Sequence, residues 1–252
     1  MNGRPQPASH DLIDQLNRVR QLRNDERELP LRQLEFTSQR VRSSDRAAYL
    51  FLQAGIASLR DDVDAIDVAR DQLRKEFPDH AIAQANVAKA YLCARQPERV
   101  LDQLSYLFAE RAVGWDIYEA LSILVPLGLI DDLQRFLGDS LLEHSSSNSE
   151  RGMLEKLVDD VQKYEINPAD FSKVFMACTD VLRAHGWDSA VISVDNGPRC
   201  AERGMPVATL QFGIEAEPEA MLDLEDEMID TLIREEVGAF VNGHINVQMS
   251  YV

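Results

Sequence analysis

A spacing of 35 residues recurs along the first part of the sequence and narrows what the chain can fold into more than any other feature. Residues suited to starting helices stand at Ser9, Ser44 and Asp79, with Gly114 next, and a second series follows at Glu26, Asp61, Gln96 and Asp131. Ser and Asp begin helices because their side-chain oxygens accept backbone N–H groups that have no partner within the helix, and the proline after Gln96 suits a first helical position. Apolar columns keep the same step: Leu12, Ala47, Ile82 and Ile117; Leu22, Ala57, Leu92 and Leu127; Leu31, Ile66, Leu101 and Phe136. Within each half, apolar residues recur at the helical period, as in Val63, Ile66, Ala69, Leu73 and Phe77. Each unit is therefore expected to be an αα-hairpin, which buries its apolar face by stacking on its neighbours.

A further step lands on Ser149 and on Ile166, beside the helix-start signal Asn167-Pro168, and Phe171 continues the Phe136 column. The run Ser145-Ser146-Ser147-Asn148 is the best flexible joint in the chain. The expected organisation is a disordered lead over 1–8, a hairpin-repeat domain over 9–144, and an α+β domain over 149–252 holding a fifth hairpin and then β-β-α-β. The fold class is α+β, mainly α.

Ala88, Tyr91 and Pro97 in the third hairpin, and Phe77-Pro78 closing the second, place a small residue, an aromatic and a terminal proline where the tetratricopeptide repeat family places them. Residues 9–145 resemble that family, with Arg95 at its usual glycine turn and Val100 at its small position. The resemblance implies binding of a protein or peptide on a concave face lined mainly by first helices. Tyr49, Gln53, Gln84, Lys89, Tyr91 and Tyr118 are the candidate contact residues there, the alternative being that the tyrosines pack between hairpins.

Beyond the helix expected over 168–185, Gly186 suits a left-handed helix end and the apolar period changes to two. Strands are expected over 189–195, 207–216 and 244–252, with Ala208, Leu210, Phe212 and Ile214 on one face of the second and Ile245, Val247, Met249 and Tyr251 on one face of the third. Alternation of apolar and polar faces is the mark of an antiparallel sheet with one side wet. A helix opening at Glu217-Pro218 and running to about Val241 turns Met221, Leu222, Leu224, Met228, Ile229, Leu232, Ile233 and Val237 toward the sheet. The expected strand order is 2-1-3, with open edges and a polar face through which two copies could pair.

The chain has 26 basic and 43 acidic side chains, a net charge of −17. Such a surface repels phosphate backbones and anionic membranes, so the expected partner is a basic protein or peptide and not a nucleic acid or a membrane. Residues 1–149 carry 18 basic and 23 acidic groups and 150–252 carry 8 and 20. Between Glu215 and Glu236 ten acids face one base, Arg234, which makes Glu219, Asp223, Asp226, Glu227 and Asp230 the second set of candidate partner contacts, or else a solvated helix face. The first residues hold no apolar leader and no run approaches the ~20 apolar residues that span a bilayer; with three cysteines in no CxxC spacing, a reducing cytoplasmic setting is expected.

Chemistry is thinly represented. Cys200, between Arg199 and Arg203, is the most reactive-looking thiol, and His185 or His244 would be its base. His185, Asp188, Asp195 and His244 match no metal-ligand spacing, and Asp61-Asp62-Val63-Asp64 lacks the glycine and closing glutamate of a calcium loop. No catalytic, metal or cofactor site is assigned. The expected function is a non-enzymatic interaction module, an adaptor, chaperone or acidic inhibitor of the immunity type. The rivals are an enzyme using Cys200 or the histidines, and a structural subunit of a larger assembly.

Overall fold

The computed structural model describes residues 8–109, 121–138, 148–187, 191–195 and 206–251. Gly114, Ile117, Tyr118, the serines at 145–147, Asp188, Arg199, Cys200 and Arg203 lie outside the described residues. The chain divides into two compact units, Met1–Trp115 and Asp116–Val252. The first carries 17 basic and 17 acidic side chains and the second 9 and 26, so the entire net charge belongs to the second.

The first unit is built of α1 (Ala8–Gln21), α2 (Asn24–Ser38), α3 (Arg46–Ser58), α4 (Val63–Glu76), α5 (Ala81–Cys93) and α6 (Pro97–Ala109). They pair as α1/α2, α3/α4 and α5/α6, and the first helices stack, α3 against both α1 and α5. Three caps sit one residue after the expected Ser44, Asp61 and Asp79, whereas α6 opens at Pro97 as expected and α2 opens at Asn24, ahead of the expected Glu26. Asp45 accepts from the Ala48 N–H at 3.0 Å, Asp62 from Ala65 at 3.0 Å, and the His80 ring nitrogen Nδ1 from Ala83 at 3.3 Å. From α4 to α6 the helix start moves 34 residues, against 35 from α3 to α5, and Val100 is fully buried while Leu101 is only half-buried; between the first two hairpins the steps are 38 and 39, longer than the expected 35. Ile82 is a second departure, exposed where Leu12 and Ala47 of its column are buried.

Helix ends share one chemical device. The N–H two residues past the last turn bonds back to a carbonyl five residues earlier: Asp62 to Ala57, Gln96 to Tyr91, Leu129 to Leu124, Ile166 to Val161, Trp187 to Leu182 and Val237 to Leu232. The residue before each of those N–H groups is left-handed, with positive φ at Asp61, Arg95, Gly128, Glu165, Gly186 and Glu236. This is the Schellman closure, which satisfies carbonyls that the helix itself leaves unpaired. Arg95, with φ of 55°, thus occupies by strain the place where a glycine would sit without it.

The second unit holds α7 (Ile130–Leu137), α8 (Asn148–Lys163), α9 (Ala169–Ala184), β1 (Val191–Asp195), β2 (Ala208–Ile214), α10 (Pro218–Arg234), α11 (Gly238–Val241) and β3 (Ile245–Tyr251). The strands lie in the order β1-β2-β3, with β1 antiparallel to β2 and β2 parallel to β3. The sheet is mixed, which corrects both the all-antiparallel expectation and the order 2-1-3. Parallel neighbours need a crossover, and α10 supplies it between β2 and β3. The arrangement places β2, whose Ala208, Leu210, Phe212 and Ile214 are all fully buried, between two partners instead of at an edge. The opposite face is polar, with Ser193, Gln211 and Gln248 in one row joined by hydrogen bonds of 3.1 and 3.4 Å.

The helix expected to reach Val241 stops at Arg234. Glu236 turns left-handed, Val237 enters the core, and α11 starts with its Ala239 N–H held at 2.9 Å by the buried carboxylate of Asp170 on α9. Gly243, at φ of 73°, leads through His244 into β3.

Candidate functional site

α3 is apolar nearly all round, and such a helix is enclosed by its neighbours. Between Ala47 and Ser58 only Tyr49 and Gln53 escape full burial, one helical turn apart. Both open into a groove of about 380 Å³ whose floor is α3 and whose walls come from α2 and α4. Ile56, Ala57, Ala65, Ala69 and the exposed Val68 make its apolar part. Glu35, Arg60, Asp62 and Gln72 make its polar rim.

The groove is pre-organised. The Arg60 guanidinium meets both Glu35 oxygens at 3.0 and 3.3 Å across the gap between α2 and α3, and that hydrogen bonding holds its pKa above the ordinary arginine value. Arg42 and Arg46 lie over the Tyr49 ring at 5.7 and 5.3 Å from its centroid, a cation–π arrangement that fixes the ring. Arg46 also reaches Gln72 at 2.9 Å, and Gln53 donates to the Ser38 hydroxyl at 3.1 Å. Tyr49 and Gln53, expected from the sequence, are therefore brought together. The residues that shape the groove around them come from outside the first helices, Glu35, Val68 and Gln72 from second helices and Arg60 from the turn after α3.

Gln84 and Tyr91 are corrected: both are fully buried and neither faces a partner. The Tyr91 hydroxyl donates to Asp67 at 2.5 Å, and the same carboxylate takes Arg99 at 2.6 Å and Arg70 at 3.1 Å. Burial, then the hydrogen bond to Asp67, pushes the Tyr91 phenol well above its usual range. Gln84 accepts from Gln103 at 2.7 Å and donates to the Phe77 carbonyl at 3.1 Å, while Gln103 takes Arg74 at 2.8 Å. These two networks tie α4, α5 and α6 together. The signal was present in α5, whose apolar residues cover every side and leave no wet face for Gln84 or Tyr91 to occupy. Lys89 is half-buried.

The second candidate surface is α10. Leu224, Met228, Thr231 and Leu232 are buried, and Glu219, Asp223, Asp226, Glu227 and Asp230 are exposed. Leu222 and Ile233, expected to face the sheet, are 64% and 55% exposed instead. A helix of 3.6 residues per turn has one buried stripe, and their positions fall outside it. Among the described residues Glu227 is the one candidate acid with a partner, at 2.7 Å from His185. Glu225 turns back to accept the Met249 N–H at 2.7 Å and so covers the outer edge of β3.

Of the residues considered for catalysis, the two histidines are described and each has its own partner. His185 meets Glu227, whereas His244 stacks on Tyr164 with ring centroids 5.7 Å apart. Cys178 is buried and its thiol is pushed up by that burial and by the nearby Glu235 carboxylate, and Cys93 is partly exposed. Asp62 and Asp64 belong to the start of α4, as cap and first-turn acid. Among the described residues no group of three or more His, Cys, Asp or Glu side chains is gathered as metal ligands, and no helix is long and apolar enough to cross a membrane. Compared with protein-family models, curated proteins and solved structures, the chain matches none.

Proposed function

We propose that the chain is a non-enzymatic protein-interaction module of tetratricopeptide-like character, and that its first unit holds an extended segment of a protein partner in the groove over α3. The observation that carries this reading is the groove itself. Tyr49 and Gln53 are the polar openings in an otherwise buried helix, and they meet the exposed Val68 in a cleft within the size range of ligand sites, roughly 300–1,000 Å³. Gln53 and Gln72 offer amides that match the backbone of an extended peptide, and Val68 with Ala65 and Ala69 offers an apolar floor for one of its side chains. The stacked hairpins and the resemblance at Ala88, Tyr91 and Pro97 support the family character; the net charge of −17, all of it in the second unit, supports a basic partner for that unit and not for the groove. Free Cys93 and Cys178 accord with a reducing cytoplasm.

The test is selection of peptides from a random displayed library on the purified full chain, followed by titration of the selected peptides against Gln53→Trp and Val68→Arg. The expected result is loss of at least tenfold in affinity for either variant, because each fills the groove. Peptides that bind both variants as well as the parent chain would overturn the reading.

A further inference from the structure

The exposed side of α10 is organised into two parallel lines. At 100° per residue, Leu222, Ile229 and Ile233 fall within about 40° of one another, and Glu219, Asp226, Asp230 and Asp223 fill the next stretch of the circumference. The buried stripe of Leu224, Met228 and Leu232 is turned away from both. Among the described residues none of these four acids has an ion-pair partner, whereas Glu227, on the far side, has His185. The apolar line runs from position 222 to 233, about 17 Å along the helix axis at 1.5 Å per residue, or three turns.

We infer that this face of α10 is a docking ridge for a cationic amphipathic helix of a partner protein, seated with its apolar stripe on Leu222, Ile229 and Ile233 and its Lys or Arg side chains over Glu219, Asp223, Asp226 and Asp230. The exposed Leu222 and Ile233, aligned with the half-buried Ile229, supply apolar contact area along one line of the helix beside the acids. The acids decide the occupant. A second copy would set one acidic line against another in a unit carrying 26 acidic against 9 basic groups, and anionic lipid or nucleic acid is repelled for the same reason. A helix with basic residues beside its apolar stripe is the complement of both lines, in the helix-on-groove manner of amphipathic recognition. An added strand is disfavoured because Glu225 already occupies the Met249 N–H at the β3 edge. The inference rests on the interaction-module reading only in taking the partner to be a protein, since it uses a different unit from the groove.

The test uses the full chain and a designed peptide of about 14 residues with Leu at i, i+4, i+7 and i+11 and Lys beside each. Fluorescence anisotropy at low and high salt gives its affinity. Expected are binding that weakens at least tenfold on raising NaCl from 50 to 500 mM, at least tenfold loss in the pair Leu222→Ala with Ile233→Ala, and a flattened salt dependence in Asp226→Asn with Asp230→Asn. A scrambled peptide of the same composition, which keeps the charge and loses the stripe, is expected to bind at least tenfold more weakly. Equal binding of the scrambled peptide, or retained affinity in Leu222→Ala with Ile233→Ala, would overturn the ridge. So would sedimentation of the parent chain as a dimer that these two substitutions dissolve, which would assign the face to a second copy. Gln53→Trp is expected to leave this binding unchanged, so failure of the groove and failure of the ridge are read separately.

Discussion

Removing the Tyr91 hydroxyl should cost stability and leave recognition intact. Tyr91 is fully buried, and its O–H donates to the Asp67 carboxylate at 2.5 Å. A hydrogen bond to a charged group contributes about 1.5–3 kcal/mol. Asp67 keeps Arg99 at 2.6 Å and Arg70 at 3.1 Å after the change, so its charge is not left unpaired and the lower end applies, about 1.5 kcal/mol for Tyr91→Phe. Asp67→Ala is expected to cost more, about 2–4 kcal/mol, because it strands the buried phenol and releases two guanidinium groups. The double variant should fall short of the sum by about 1 kcal/mol, the signature of a shared bond. Urea unfolding of each variant, followed by far-ultraviolet circular dichroism, provides the measurement. With a slope near 2 kcal/mol/M, the Tyr91→Phe midpoint falls by about 0.75 M at unchanged slope. The environment has its own readout, since burial and the Asp67 charge both disfavour the phenolate. Tyr91→Phe should therefore leave the native tyrosine ionisation signal near pH 10 at its parent amplitude. A midpoint shift below about 0.15 M, together with loss of that ionisation signal, would refute the network and return Tyr91 to the surface.

Three further substitutions probe the helix closures. Gly128→Ala should lower stability by about 2 kcal/mol or more in thermal or urea unfolding, because a Cβ there would lie 2.5 Å from the Pro168 carbonyl oxygen at a φ of 69°. Glu165→Gly and Glu236→Gly should each raise stability by about 0.5–1 kcal/mol, the left-handed strain relieved less the added freedom of the unfolded chain, and a loss in either would show that the side chain contributes more than the strain costs.

Much of this architecture can be read from residue types because hairpins and caps are local. Asp62 and Pro97 mark helix starts within their own turn of chain, and Ala208 through Ile214 declare a strand face by alternation alone. What failed to be legible depends on partners distant in sequence. Nothing local distinguishes a β3 that pairs with β1 from one that pairs with β2, since both satisfy the same alternation; the choice lies in the crossover by α10. The stop after Arg234 was hidden because Phe240 and Val241 continue the apolar stripe of the helix in register, and only the left-handed Glu236 and the capping Asp170, 69 residues before Ala239, end it. At the candidate site Tyr49 and Tyr91 have similar sequence surroundings and opposite fates. One faces a gap between second helices, and the other meets an acid from the preceding hairpin.

The distribution of charge sharpens the contrast between the two units. In the first, where the charges are equal in number, several ion pairs join neighbouring elements: Arg46 with Glu76, Arg60 with Glu35, Arg74 with Asp102, and Arg99 with Asp67. In the second, the acids of α10 stand next to one another. Glu219 and Asp223, Asp223 and Glu227, and Asp226 and Asp230 are each four residues apart, and like charges at that spacing oppose a helix by about 0.2–0.5 kcal/mol per pair. The helix is held against this repulsion by Leu224, Met228 and Leu232 in the core, and the acids add nothing to that packing. A basic stripe laid along the ridge would offset the Glu219–Asp223 and Asp226–Asp230 repulsions with attractive contacts, so the arrangement that weakens α10 alone is the one that gains most from a cationic partner. A solvated face has no use for the exposed Leu222 and Ile233 beside those acids, and a binding ridge does.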